Sequence, residues 1–158
     1  MERTIRLSVL DRLIDREPAS RVEASQSWAD SVQEMKHAVR RDLEWLLNTR
    51  RIAEPAPDEY AELQQSVYHY GLRDITSLSA DAPDVGARLR KYVQETVTLF
   101  EPRLADVRVR ASEGQDTRQI RFVIDALLRI DPNPEEVQFD TVLEVASGKF
   151  DVKGEGRA

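Results

Sequence analysis

The chain has no cysteine. That excludes disulfides, thiolate metal sites and cysteine nucleophiles, and it suits a reducing compartment. Histidine is nearly absent as well. His37 and His69 are the only two; they fall on separate predicted helices, and neither sits in a local metal-ligand pattern. Both read as surface or boundary side chains. Glycine is scarce, at six residues, each in a predicted turn or at a predicted helix end, so there is no glycine-rich loop to cradle a phosphate. A Gly-x-Ser-x-Gly elbow is also missing. No apolar run approaches the roughly 20 residues that cross a bilayer. The N-terminal segment interrupts its apolar positions with Asp11, Arg12, Asp15 and Arg16, where a signal peptide needs an unbroken stretch. These absences lead to the expectation of a cytoplasmic protein without membrane insertion. Positive charge is in deficit: 23 Lys and Arg stand against 29 Asp and Glu, a net charge of −6. An acidic domain is a poor binder of phosphate backbones, so nucleic acid is not an expected partner.

What is present predicts one α+β domain over residues 1–152, with a flexible tail over 153–158. At 158 residues, with 41% hydrophobic and 33% charged side chains, the chain can bury a core of its own. Residues Thr4 to Asp15 place Ile5, Val9, Leu10 and Leu13 near one helical face, and Glu17-Pro18 ends that segment. A long helix follows to about Asn48, with Ser20 or Ser25 as its cap. Its apolar stripe, Trp28, Val32, Met35, Val39, Leu43 and Leu46, recurs at spacings of three and four and reads as core. Pro55 and Pro57 break the helical pattern. Asp58 then caps a shorter helix carrying Leu63, Val67 and Tyr70, with Gly71 as its stop. Another helix runs from about Pro83 to Phe100 on Val85, Leu89, Tyr92 or Val93, Val97 and Phe100, and Pro102 ends it.

From Leu104 the period changes from 3.6 to 2. Val107, Val109 and Ala111 form one alternating run. Ile120, Phe122, Ile124, Ala126, Leu128 and Ile130 form a second, and Val137, Phe139, Thr141, Leu143 and Val145 a third. Phe150 and Val152 lie beyond a last turn at Ser147-Gly148-Lys149. Short turns between such runs predict an antiparallel meander with N-terminal helices packed on one face.

Carboxylates are plentiful, and Glu44 with Glu101 is the pair most open to a glycosidase reading. Both stand beside arginines in the sequence, and a neighbouring cation lowers a carboxyl pKa instead of raising it as a general acid requires. No catalytic residue, metal site, cofactor or small-molecule substrate is therefore expected.

Three stretches carry a resemblance when taken in order. They are Ser8-Val9-Leu10-Asp11-Arg12-Leu13-Ile14-Asp15 with Glu17-Pro18; Val39-Arg40-Arg41-Asp42-Leu43-Glu44-Trp45-Leu46-Leu47-Asn48-Thr49-Arg50-Arg51; and Glu101-Pro102-Arg103-Leu104. With Tyr70-Gly71-Leu72 and Asp74 between them, the sequence resembles the TssE family of type VI secretion baseplate proteins, which are similar to a wedge protein of contractile phage tails. The second stretch is the most specific. The resemblance implies a cytoplasmic structural subunit without a cofactor. Such a subunit would join the core bundle of the larger wedge subunits and meet the first ring of the contractile sheath. A lysozyme-like label has been attached to such proteins, but the resemblance supplies no lysozyme chemistry.

The residues offer a mechanism for that role. Pro102 fixes the chain direction after a helix, so Glu101 and Arg103 project from a stiff corner, suited to charge-assisted bonds with a core-bundle partner. The plain alternative is a helix stop with two solvated charges. Arg50 and Arg51 follow a helix C-terminus, where the dipole favours cations; they are further partner-binding candidates. Asp42 and Glu44 either pair with arginines inside the domain or face a partner. Phe150 and Val152 are candidates for a sheet edge that meets the sheath by strand addition. Two other functions compete: a regulatory binding adaptor of the anti-adaptor kind on the same fold, and a cell-wall hydrolase.

Overall fold

The computed structural model describes residues 5, 7–14, 27–57, 59–74, 85–111 and 118–154. The first described helix, α1 (Val9–Leu13), is short, and Ser8 caps it by accepting from the Asp11 amide. Of the expected face, Ile5, ahead of α1, packs against the core, whereas Val9, Leu10 and Leu13 are exposed. Its flanks at 1–4 and 15–26 lie outside the described residues, and with them the expected caps Ser20 and Ser25.

Helix α2 (Trp28–Asn48) starts at Ser27 instead. The Ser27 hydroxyl accepts from the Asp30 amide while the Asp30 carboxylate accepts from the Ser27 amide, a reciprocal capping box. The Ser27 hydroxyl also donates to Asp30 Oδ2 at 2.7 Å, and this bond first, then that from the Ser27 amide, holds the Asp30 carboxyl below its usual range. The stripe read from the sequence is the core face. Val32, Met35, Val39, Leu43 and Leu46 are buried, and Trp28, at its head, is exposed. Each fully buried member contributes about 1.5–3 kcal/mol relative to exposure.

Between the two long helices the chain departs from the sequence pattern. Helix α3 (Ala61–Gln64) is a single turn, and a 3-10 turn follows at Val67–His69. The break after Gln64 destroys the 3.6-residue spacing, so Val67 is 89% exposed and does not share a buried face with Leu63 and Tyr70. His69 is buried, contrary to its reading as a surface or boundary residue, because its Nε2 accepts the Ala56 amide proton at 3.3 Å. Asp58 lies outside the described residues.

Gly71 takes a φ of +105°, and a Cβ there would sit 2.4 Å from the Thr49 carbonyl oxygen. Only glycine fits that approach. It allows the Leu72 amide to reach Thr49 O at 2.8 Å and the Arg51 amide to reach Leu72 O at 3.0 Å. A parallel bridge between Arg50 and Leu72 results.

Helix α4 (Val85–Phe100) buries Val85, Leu89, Val93 and Val97 as its spacing predicts. The chain then enters a four-stranded antiparallel sheet, in the order β1-β2-β3-β4. The strands are β1 (Leu104–Ala111), β2 (Gln119–Leu128), β3 (Glu135–Glu144) and β4 (Lys149–Lys153). Phe122, Ile124, Leu128, Phe139, Leu143, Phe150 and Val152 share one core with the stripes of α2 and α4. Leu104 and Val107 are both buried although three residues apart, because the pairing slips between Ala105 and Arg108. Asp106 absorbs that bulge with a φ of +52°, a conformation that aspartate tolerates better than most residues.

Helix side chains occupy both outer edges of the sheet. On β1, the Val109 amide donates to Gln94 Oε1 of α4 at 3.3 Å. On β4, the Asn48 side-chain amide acts as a neighbouring strand would. Its Oδ1 accepts from the Phe150 amide at 2.9 Å, and its Nδ2 donates to Phe150 O at 2.8 Å. Arg40 reaches Val152 O at 3.4 Å. Replacing Asn48 by alanine leaves the Phe150 amide and carbonyl unpartnered at a half-buried edge. The expected cost is about 1–3 kcal/mol, read as a lower urea midpoint at unchanged slope. A midpoint equal to wild type would mean that solvent satisfies the edge equally well.

Candidate functional site

The corner between α4 and β1 is the most strongly organised polar site among the described residues. The Glu101 amide makes the last turn bond of α4 to Val97 O at 2.9 Å, and the Leu104 amide returns to Glu101 O at 3.1 Å. Pro102 sits exposed at the tip. Of the flanking charges, Glu101 is buried at 4% exposure and Arg103 is half-buried. Arg103 grips its carboxylate with Nε on Oε1 at 2.7 Å and Nη2 on Oε2 at 2.5 Å, and the Arg103 amide adds a third bond.

Arg103 also crosses to α2. Its Nη2 donates to Asp42 Oδ2 at 2.7 Å. The other Asp42 oxygen accepts from Arg41 Nε at 2.9 Å and Nη2 at 2.7 Å. Arg41 Nη2 lies 2.8 Å from Asp11 Oδ1, an ion pair without hydrogen-bond alignment. Five alternating charges, Asp11, Arg41, Asp42, Arg103 and Glu101, thus tie α1, α2 and the α4–β1 corner together.

The charges respond accordingly. Burial by itself would lower the Arg103 pKa, but Glu101 and then Asp42 outweigh it and raise it well above the ordinary guanidinium range. Arg41 is raised against burial by Asp42 and Asp11. Burial would raise the Asp11 carboxyl, yet Ser8, Arg41 and Arg103 bring it below its usual value. The Tyr70 hydroxyl is pushed up by burial, then by the negative charges of Asp42 and Glu101, and its ring packs edge-on against Phe100 at 5.4 Å.

The candidate residues therefore divide. Glu101, Arg103 and Asp42 converge, and Asp42 pairs inside the domain. Glu44 has no ion pair among the described residues; it is half-exposed, next to exposed Trp45 in the chain. Arg50 reaches Asp74 at 3.0 Å on the surface. Arg51 is half-buried, and burial followed by the charge of Arg73 pulls its pKa down. Phe150 and Val152 do lie on the edge strand β4, but both side chains point into the core at 0% exposure, and their outward backbone groups meet Asn48 and Arg40.

Sequence reading assigned no role to Arg41, Asp11 or Asn48. The Ser8-x-x-Asp11 spacing marks a helix cap and gives no hint of the pair with Arg41. Nothing local links Asn48 to a strand about a hundred residues later in the chain.

No cluster of three or more potential metal-ligating side chains occurs among the described residues. No described helix is long and apolar enough to cross a membrane. A family model described as baseplate wedge protein gp25 matches residues 33–133. No individual curated protein matches the chain. The matched span holds most of α2, all of α4, β1 and β2, and four of the five charges of the network. Over well more than half its length, then, the chain carries the pattern of one family: it belongs to the baseplate wedge protein gp25 family, that of the TssE baseplate proteins of type VI secretion.

Proposed function

We propose that this chain is a cytoplasmic, non-catalytic structural subunit of a type VI secretion baseplate, a phage tail-like contractile machine. In this reading it joins the core bundle of the larger wedge subunits to the contractile sheath, without cofactor or small-molecule substrate. The observation that carries it is the charge-locked corner lying inside the matched span. A corner held by Arg103, Glu101 and Asp42 keeps Pro102 and the exposed part of Arg103 in a fixed place, so a partner binds it with little ordering cost. Glu44 and Trp45, on the outer side of the same stretch of α2, extend the partner-facing surface. The hydrolase reading is disfavoured because Glu101 is buried and its carboxylate is engaged by Arg103.

The sheath contact is assigned to the β4 edge. Strand addition at Phe150 and Val152 then requires Asn48 and Arg40 to let go of their backbone groups.

Co-purification with tagged full-length chain tests the assignment. Wild type is expected to recover both the larger wedge subunits and the sheath subunits. Glu44→Lys, a surface change expected to shift stability by no more than about 0.5 kcal/mol, is expected to lower recovery of the wedge subunits alone. Recovery of a single regulator and no baseplate subunit would favour the adaptor reading. Peptidoglycan cleavage that disappears in Glu101→Gln would establish a hydrolase.

A further inference from the structure

Arg51 stands apart from the other engaged arginines. Arg41 and Arg103 hold carboxylates in the corner network, Arg50 holds Asp74, and Arg110 holds Asp125. Arg51 is half-buried, yet it has no ion pair among the described residues. A shortage of acids does not explain this, since Asp and Glu outnumber Lys and Arg by 29 to 23. Its neighbour is a second cation. The parallel bridge of Arg50 with Leu72 sets the next residues, Arg51 and Arg73, alongside each other. Arg73 is exposed and likewise without an ion pair, and its guanidinium lies over the Tyr92 ring of α4 at 5.3 Å.

Two like charges held side by side, one of them partly desolvated, destabilise an isolated domain. The backbone keeps the two positions adjacent. Gly71 seats the ribbon against Thr49, and two amide bonds pin Leu72. The arrangement is costly alone and complementary to an anion, which would relieve the repulsion and accept planar, forked hydrogen bonds from guanidinium groups.

We propose that Arg51 and Arg73 form a docking site for an aspartate- or glutamate-bearing segment of a wedge-subunit partner. This rests on the structural-subunit reading and names the chemistry of one of its contacts. The site adjoins the charged corner, because the same ribbon carries Tyr70, which packs on Phe100 at the end of α4. A partner carboxylate fits better than a nucleic-acid backbone: the chain is acidic overall, at −6, and two guanidinium groups are too few to hold a polyanion against that charge.

The test measures affinity of the full-length chain for purified larger wedge subunits, alongside melting of the isolated chain. Arg51→Glu and Arg73→Glu are each expected to weaken binding by about 30-fold or more. Wild-type affinity should fall with added salt, and that dependence should flatten in the variants. Arg51→Met is expected to lose affinity while melting at or above the wild-type temperature; a group needed only for folding would lower it. Wild-type binding matched by Arg51→Glu overturns this proposal alone. Failure of wild type to bind the wedge subunits overturns the functional reading and the proposal with it. Binding of wild type to a duplex DNA fragment, abolished by Arg51→Glu, would reassign the pair to phosphate.

Discussion

Arg103→Met is expected to destabilise the isolated chain by about 3–5 kcal/mol, the usual cost of removing one partner from a buried ion pair. For a domain of this size that is a fall in melting temperature of about 10 °C. The reason lies in what remains. Glu101 is 4% exposed and receives three bonds from Arg103. Without the guanidinium, its carboxylate must stay buried and unpaired, take up a proton, or pull the corner open. Asp42 loses its bridge to the α4–β1 corner as well and keeps only Arg41. The double variant Glu101→Leu with Arg103→Met is expected to melt above Arg103→Met, because no orphaned charge is left behind. A folded Arg103→Met chain melting within a degree of wild type would show that water reaches Glu101 and that the network contributes little. The expected outcome also bears on function. Loss of partners from an Arg103 variant reports folding as much as binding, which is why Glu44 and Arg51 are the better probes of the surface.

The parts of the fold that were legible in the sequence are those governed by local period. The α2 and α4 stripes emerge from spacings of three and four, and Phe122, Ile124, Val137 and Phe139 from alternation, because burial on one face imposes that period over many residues. The turn at Gly71 was legible as a stop, but its closeness to Thr49 was not. The rest depends on pairing across distance. Asp42 meets Arg103 at a sequence separation of 61 residues, and Lys36 meets Glu135 at 99. No local pattern distinguishes such a charge from a solvated one, so the corner was readable as stiff, while the internal pairing of Asp42 stood beside a partner-facing reading and that of Glu101 with Arg103 was not read. Val67 shows the opposite failure. Its spacing from Leu63 and Tyr70 predicts a buried face, and a 3-10 turn cancels it. His69 is hidden for a related reason: the Pro55–Pro57 segment folds back so that the Ala56 amide finds the imidazole. The bulge at Asp106 is visible only in hindsight, as two buried residues, Leu104 and Val107, that a regular strand would set on opposite faces.

Deletion of residues 147–158 is expected to unfold the domain instead of merely detaching it from the sheath. The removed segment contains β4, whose Phe150 and Val152 are both 0% exposed and packed beneath α2. Phe150→Ala alone is expected to cost about 3–5 kcal/mol, through lost burial and the cavity left behind. The deletion adds the loss of Val152, strips β3 of five paired positions, and leaves the Asn48 amide without its strand partner. Together these approach the whole stability of an ordinary domain, about 5–15 kcal/mol. Far-ultraviolet circular dichroism and urea titration of the deleted chain should therefore show no cooperative transition. A deleted chain that still unfolds cooperatively would mean that the three remaining strands close the core without β4. The contrast that isolates the sheath contact lies on the other side of the same strand. Lys149, Asp151 and Lys153 point away from the core and are exposed, so Asp151→Lys changes what a docking strand meets while leaving Phe150 and Val152 in place. If that variant keeps the wild-type melting temperature and loses only the sheath, the edge is a contact as well as a wall of the core. If it keeps the sheath, β4 is there to close the core, and the Asn48 amide is its permanent neighbour.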